Sequence, residues 1–419
     1  MEEEILSTNN RIVILGAGIA GVNAAKTLLD HDYEGKVVLL DMEEKLPYDR
    51  PPLSKEYLTG AKDHKGILLH PEEFYQDSRI EMKLGKAVAE LQPDKKTVIL
   101  EDGEKISFDK LLITTGSKLR RLQPLDDQKF DNVFYLKTQK DANRLQDQLS
   151  SINHLAIIGA GFIGLEVAAS MLAIGKRVTV FEAAKTPLSR VLGEDIGNYI
   201  ASKHREKGIE IFTDDYITQF MGDSAIHAVE TKEGRKIDCD AVLVGIGVST
   251  DGLLVQDKLD FNDGIIVNEF CETSVPDIFA AGDCARWTYP VSGEAIRIEH
   301  WDHAMNQGAT AAVNMLQPGS KPFTTIPYFW SDQHDLAIQY LGHPTQWDET
   351  VMRGTIETDQ FTMFYLLNQR VVGALIVNQP ANVLPVRRLI SQAVFISADQ
   401  LGDEKVKLKS IIKQATTII

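Results

Sequence analysis

Arg11-Ile-Val-Ile-Leu-Gly-Ala-Gly-Ile-Ala-Gly21 decides the fold of this chain. Arg11 to Leu15 is a short apolar run rich in β-branched residues, the pattern of a buried parallel strand. Gly16-x-Gly18-x-x-Gly21 follows at once, and Val22 to Leu29 then reads as a helix. A second apolar strand, Val37 to Leu40, ends at Asp41, twenty residues beyond Gly21. Strand, glycine loop, helix, strand and terminal acid together form a dinucleotide-binding unit. Gly16 makes the tight turn, Gly18 lets the backbone approach a pyrophosphate, and Gly21 lets helix pack on strand. The helix N-terminus faces the phosphates. Asp41 takes ribose hydroxyls.

The pattern recurs. Leu155 to Ile158 is a strand, Gly159-Ala160-Gly161-Phe162-Ile163-Gly164 the loop, and Leu165 to Ile174 a helix stopped by Gly175. Val178 to Phe181 is the next strand, ending at Glu182. Two such units imply two dinucleotide cofactors. A carboxylate at 182 hydrogen-bonds a ribose 2′-hydroxyl and repels a 2′-phosphate, and Lys185 is the only cation nearby, so NADH is expected over NADPH. The repeat also explains the apolar stretch 155–175, which carries the single charge Glu166: it reads as strand plus buried helix, and no membrane span is expected.

Composition agrees. The 419 residues include 44 Lys+Arg and 60 Asp+Glu, for a net charge of −16. Such a balance disfavours nucleic acid or an anionic membrane as partner. Three scattered cysteines (Cys239, Cys271, Cys284) suit neither a disulfide framework nor a zinc site, and the ten histidines show no metal spacing, so no metal is expected. The start Met1-Glu-Glu-Glu4 is acidic, unlike a secretory or transit peptide, so a cytoplasmic location is expected. Pro318-Gly-Ser-Lys-Pro322 is a breaker cluster marking a linker. Beyond it, alternating segments such as Val371 to Val377 suggest an antiparallel sheet.

With these motifs in place, the chain resembles the FAD-dependent pyridine-nucleotide reductases, specifically the oxygenase-coupled NADH–ferredoxin and rubredoxin reductases, relatives of apoptosis-inducing factor. The resemblance runs from about residue 10 to about residue 400. Pro47-Tyr-Asp-Arg-Pro-Pro-Leu-Ser-Lys55 is similar to the loop after the first FAD unit, and Leu112-Ile-Thr-Thr-Gly-Ser117 to the first crossover strand. Val244-Gly-Ile-Gly-Val248 resembles the return crossover, Ile278-Phe-Ala-Ala-Gly-Asp283 the second FAD motif, and Tyr328-Phe-Trp-Ser-Asp-Gln333 the opening of the third domain. The implied fold class is α/β: two Rossmann-like, glutathione-reductase-like dinucleotide domains plus a C-terminal α+β domain. The expected boundaries are 1–119 with 249–322 for FAD, 120–248 for NADH, and 323–419 for the C-terminal domain.

The resemblance also implies site residues. For FAD these are Gly16, Gly18, Ile19, Ala20, Gly21, Asp41, Arg50, Lys55, Val88, Thr115, Gly116, Arg120, Gly282, Asp283, Glu299, His300, Trp301 and Trp330. For NADH they are Gly159, Gly161, Phe162, Ile163, Gly164, Glu166, Glu182, Gly245, Ile246 and Gly247. Lys55 and Glu166 are expected as an ion pair beside the flavin N5 and the nicotinamide. Lys55 would stabilise reduced flavin and Glu166 would hold the carboxamide. Hydride transfer needs no powerful acid or base, because the cofactors carry the chemistry and the protein positions them. Asp283 would bind the ribityl chain, Arg50 or Arg120 would pair with the pyrophosphate, and Trp330 would pack at the flavin edge.

The loop 47–55 has no cysteine, which speaks against a thiol relay, and Cys284 reads as a small packed residue. Residues 323–419 hold eight Lys/Arg against nine Asp/Glu, close to neutral, with Arg387-Arg388 and Lys405/Lys407/Lys409 as basic clusters. The expected function is an NADH-dependent FAD reductase, monomer or homodimer, passing electrons singly to a small iron–sulfur carrier (ferredoxin or rubredoxin). A redox-sensing interaction protein and a thiol or peroxide reductase remain alternatives at this point.

Overall fold

The computed structural model describes residues 10–128, 130–251 and 257–416, and the acidic stretch Met1–Glu4 lies outside them. Its architecture rests on two parallel five-stranded sheets built alike. The first runs, in spatial order, Ile278–Ala280, Lys110–Ile113, Arg11–Leu15, Lys36–Leu40, Ile80–Lys83. The second runs Val133–Tyr135, Ala241–Val244, His154–Ile158, Arg177–Glu182, Glu210–Thr213. Strand positions correspond one to one, with a glycine loop following the central strand of each sheet. The fifth strand differs in origin: far downstream in the first sheet, just upstream in the second. Parallel strands covered on both faces need near-continuous apolar runs. Val13, Ile14, Val37, Leu39, Leu155, Ile157, Val178 and Val180 are accordingly buried.

Helices α1 (Ile19–Asp30) and α2 (Phe162–Ala173) follow the two loops, and α3 (Glu194–Glu206) lies further along the second unit. Helix α4 (Trp301–Leu316) crosses α1 so closely that a Cβ on Gly308 would stand 2.2 Å from the Ala20 carbonyl oxygen. Asn23 Nδ2 donates to Met305 O across the same contact. Thus residues near 300 are locked to residues near 20. A two-stranded connector, Lys118–Leu119 against Val248–Ser249, is where the chain passes between the sheets.

A five-stranded antiparallel sheet follows, ordered Tyr328–Gln333, Leu336–Gly342, Arg370–Val377, Gln360–Leu367, Glu349–Thr355. Its alternation and short turns match the period-2 pattern seen at 371–377. Helix α5 (Val383–Gln392) covers it through Pro385, Val386, Leu389 and Ile390. No helix among the described residues is long and apolar enough to cross a membrane.

His303 on α4 is fully buried, its ring 4.5 Å from Trp287 and 5.1 Å from Phe323. Neither ring nitrogen reaches hydrogen-bond geometry with a described neighbour, and burial pushes its pKa down to about 3. Histidines such as this, neutral when folded, must charge on unfolding. Their stabilising neutrality is complete above the unfolded pKa of about 6.5 and is lost as pH falls toward the folded value, by roughly 1.4 kcal/mol per pH unit each. His303→Phe is expected to flatten the fall in melting temperature between pH 7 and pH 5. An unchanged slope in thermal melts at those pH values would contradict this reading.

Candidate active site

Both glycine loops are shaped by close approach. Gly16 has φ +106°, and a Cβ there would lie 2.3 Å from the Thr114 carbonyl oxygen; one on Gly21 would lie 2.0 Å from Gly16 O. The second loop repeats this: Gly159 against Gly245 O at 2.4 Å and Gly164 against Gly159 O at 2.2 Å. Gly18 and Gly161 face open space, with nothing within 4 Å of a built Cβ. They are also the N-caps of α1 and α2 and carry no side-chain cap, so orphan N–H groups of the first turn face that space. The cradles therefore fit two pyrophosphates.

The terminal acids hold these loops. Asp41 accepts from the Ala17 N–H (2.6 Å) and the Glu43 N–H (2.8 Å). Glu182 accepts from the Ala160 N–H (2.7 Å) and the Ala184 N–H (2.8 Å). Ala20 is buried, Ile19 half-buried, and Ile163 stands exposed at the mouth of its loop. Phe162 packs edge-on against Phe329 at 4.5 Å. Gly245 N donates to Ile158 O, and Gly247 O accepts from Arg120 N. Ile246 lies between them, half-buried.

The two units meet at Lys55. Pro51–Ser54 forms one tight turn, with prolines suited to its start, and this turn packs on α2. Lys55 Nζ lies 3.0 Å from Glu166 Oε2. Glu166 is almost fully buried, and it also accepts from Ser54 Oγ (2.5 Å to Oε2) and Ser331 Oγ (2.7 Å to Oε1). Ser170 Oγ on α2 donates to Ser54 O, fixing the turn. The expected ion pair forms, and it has a third contributor in the C-terminal sheet.

A second cluster surrounds Asp283. Ser117 Oγ donates to Asp283 Oδ2 (2.9 Å) and accepts from Lys137 Nζ (2.7 Å). Arg297 bridges Glu299 Oε1 (2.6 Å) and the Asp283 carbonyl (3.3 Å). Burial lowers the Lys137 pKa and raises that of Glu299. Gly282, at φ +79°, lies against Ala20 and Ala304, and Gly116, at φ +69°, with exposed Thr115 precedes Ser117. Sequence reasoning missed Lys137, Arg297, Ser54 and Ser331 as site residues. Ser54 and Ser331 at least stand inside quoted motifs; Lys137 carries no local signal.

Aromatic rings continue from here. Trp301 Nε1 donates to Asp49 Oδ1 (2.7 Å), and its ring meets Trp330 edge-on at 5.8 Å. Trp330 stacks with Tyr328 at 6.2 Å, and Arg387 covers Tyr328 at 5.3 Å. The His300 ring lies 4.7 Å from Phe329, its pKa pushed down to about 3 by burial. The remaining candidates are more peripheral. Arg50 pairs with Glu43 (3.3 Å), Arg120 Nε donates to Val248 O (2.9 Å), and half-buried Val88 follows Lys86, whose N–H reaches Asp41 O.

All three cysteines are buried and free. Burial pushes the thiols of Cys239 and Cys284 up, to about 12 and about 11, and that of Cys271 higher still. Such thiols are poor nucleophiles. Two nucleotide cradles meeting at a buried lysine–glutamate pair thus define an oxidoreductase whose cofactors, not its sulfurs, carry electrons.

Comparison with known proteins agrees. The model of the pyridine nucleotide-disulphide oxidoreductases matches residues 10–308, and that of the reductase C-terminal domain residues 328–412. The chain belongs to the pyridine nucleotide-disulphide oxidoreductase family, whose ferredoxin reductases use FAD and NAD(P)H. It is 35% identical over 384 residues to a 3-phenylpropionate/cinnamic acid dioxygenase ferredoxin–NAD(+) reductase component of Photorhabdus laumondii, covering 91% of this chain and 96% of that one. It is also 35% identical to rhodocoxin reductase of Rhodococcus erythropolis, over 96% and 94%. Among solved structures, the covalent putidaredoxin reductase–putidaredoxin complex superposes with a TM-score of 0.93 at 32% identity, covering 97% of this chain and 99% of that one. Replacing Cys239, Cys271 and Cys284 together by alanine is expected to leave NADH-driven flavin bleaching, measured per bound flavin, within about twofold of the parent.

Proposed function

We propose that this chain is an FAD-containing, NADH-dependent reductase that delivers electrons singly to a small iron–sulfur protein, a ferredoxin or rubredoxin, serving an oxygenase. The observation that carries the reading is the Lys55–Glu166 pair at 3.0 Å, placed where the turn after the first nucleotide loop meets the helix after the second. When bound, NADH supplies two electrons together and FAD releases them one at a time.

The chain's own residues position these groups. In this reading Gly16, Gly18 and the open N-terminus of α1 hold the FAD pyrophosphate, and Asp41 its ribose. Asp283, with Ser117, Lys137 and Arg297 around it, receives the ribityl chain. Lys55 places a cation beside the reacting ring, and Glu166 orients the carboxamide. Gly161 and the N-terminus of α2 take the NADH pyrophosphate. The boundaries 1–119 with 249–322, 120–248, and 323–419 follow the two-stranded connector and the 318–322 linker. The setting is cytoplasmic, which suits three free, buried thiols. The relatives named for dioxygenase and rhodocoxin systems support the carrier. Trp301, Trp330 and Tyr328 line the exit toward it. Arg387 is tied to Asp302 at 3.7 Å, so exposed Arg388 is the freer docking charge.

The purified protein is expected to show flavin absorbance that NADH bleaches anaerobically and that a ferredoxin or rubredoxin restores. Absence of flavin, or flavin inert to NADH, would refute the assignment. Lys55→Met and Glu166→Gln are each expected to slow bleaching about a hundredfold at saturating NADH. Glu182→Gln removes the charge that repels a 2′-phosphate, and should lower the NADH:NADPH ratio of kcat/KM about tenfold; a parent indifferent to the two nucleotides would overturn that role.

A further inference from the structure

Outward from Glu166 runs a line of side chains that the redox reading leaves unused. Ser331 Oγ donates to Glu166 Oε1 at 2.7 Å, and Gln333 Nε2 donates to Ser331 Oγ at 3.0 Å. His204 Nε2 lies 3.0 Å from Gln333 Oε1, and His334 Nε2 lies 3.2 Å from His204 Nδ1. Ser331, Gln333 and His204 are fully buried; His334 is half-buried, beside the surface ion pair Lys207–Asp335. The line joins α2, the first strand of the C-terminal sheet, α3 and the turn after that strand.

Charge at the inner end sets its direction. A carboxylate only accepts, so the single Ser331 proton points to Glu166. Gln333 must then present its NH₂ to Ser331 and its carbonyl to His204. That requires the Nε2–H tautomer of His204, leaving Nδ1 to accept from His334. Burial pushes the His204 pKa down to about 4, so its ring is neutral near pH 7 and has one tautomer to choose. An amide does not hand protons on, so the line orients rather than conducts.

We propose that Ser331, Gln333, His204 and His334 form a one-way hydrogen-bond chain, directed by the charge of Glu166, that fixes this carboxylate opposite Lys55. These are positioning residues. The proposal rests on the reading that Glu166 orients the nicotinamide, but the chain itself does not.

The experiment therefore has two arms. In the first, histidine ring ¹⁵N NMR at pH 7.5 reads the His204 tautomer in protein without nucleotide. The parent is expected to show Nε2–H alone. Glu166→Gln, which removes the directing charge three hydrogen bonds away along the line, is expected to give a mixture of tautomers; so is Ser331→Ala. A His204 signal unmoved by both variants overturns the chain. In the second arm, stopped-flow bleaching by NADH reads positioning. Ser331→Ala and His204→Leu are expected to lower the limiting rate about tenfold, with the NADH Kd within about twofold, because the adenine half binds elsewhere. His204→Gln, whose amide can donate where Nε2–H did, is expected to recover most of the loss. Rates at the parental level, or a His204→Gln variant as slow as His204→Leu, overturn the positioning role. If Glu166→Gln bleaches at the parental rate, the nicotinamide reading fails instead, and the NMR arm still decides the chain.

Discussion

A buried carboxylate with two hydroxyl donors and one lysine is the constraint around which this molecule is arranged. Taking Glu166 and Lys55 out of water costs several kcal/mol per ion, and their attraction offsets this only with good geometry and further hydrogen bonds. Ser54 and Ser331 supply those bonds. The donors come from the loop after the first nucleotide unit and from the C-terminal sheet, whereas Glu166 lies on the second unit's helix. A pair of this kind adds little to stability, since apolar residues could pack as well. What it specifies is position: three separate parts of the chain must be in place before the charge is satisfied.

The same logic explains the duplicated sheets. Each unit builds its cradle from one central strand, one tight glycine turn and one helix N-terminus, because backbone donors and the helix dipole together bind a phosphate without a cationic side chain. Only the fifth strand differs. In the first sheet it is Ile278–Ala280, which carries Asp283 just beyond its end. In the second it is Val133–Tyr135, followed by Lys137. Both strand ends therefore aim at one place, and Lys137 meets Asp283 through Ser117. Two copies of one fold produce a shared site because corresponding edge strands bring different chemistry to it.

Local pattern made much of this legible. The glycine spacings, the acids Asp41 and Glu182, and the alternation at 371–377 depend on residues within about thirty positions of one another, so their chemistry survives reading in one dimension. Ser331 reaches a partner 165 residues away, which the motif around it does not name, and Lys137 and Arg297 close on Ser117 and the Asp283 carbonyl only through the fold, with nothing local to mark them. Arg387-Arg388 shows the opposite failure. Adjacent residues on a helix point about 100° apart, so a basic pair on an amphipathic helix cannot face one way. Arg387 turns inward over Tyr328 and toward Asp302, while Arg388 remains exposed.

Net charge then takes a narrower meaning. A chain at −16 that binds two polyanionic cofactors is no contradiction, since exposed charges are screened beyond about 8 Å at physiological ionic strength. In the proposed reading the phosphates would meet the uncapped first turn of α1 or α2, where partial positive charge is fixed by the backbone and independent of composition. The proposed protein carrier, were it acidic, would meet a broader surface, and there composition does count. The near balance of eight cations and nine anions beyond residue 322 leaves that face without the repulsion the rest of the chain would exert. Electrostatics thus divides the molecule by length scale: backbone dipoles govern contact with nucleotides, and regional charge governs approach of a protein.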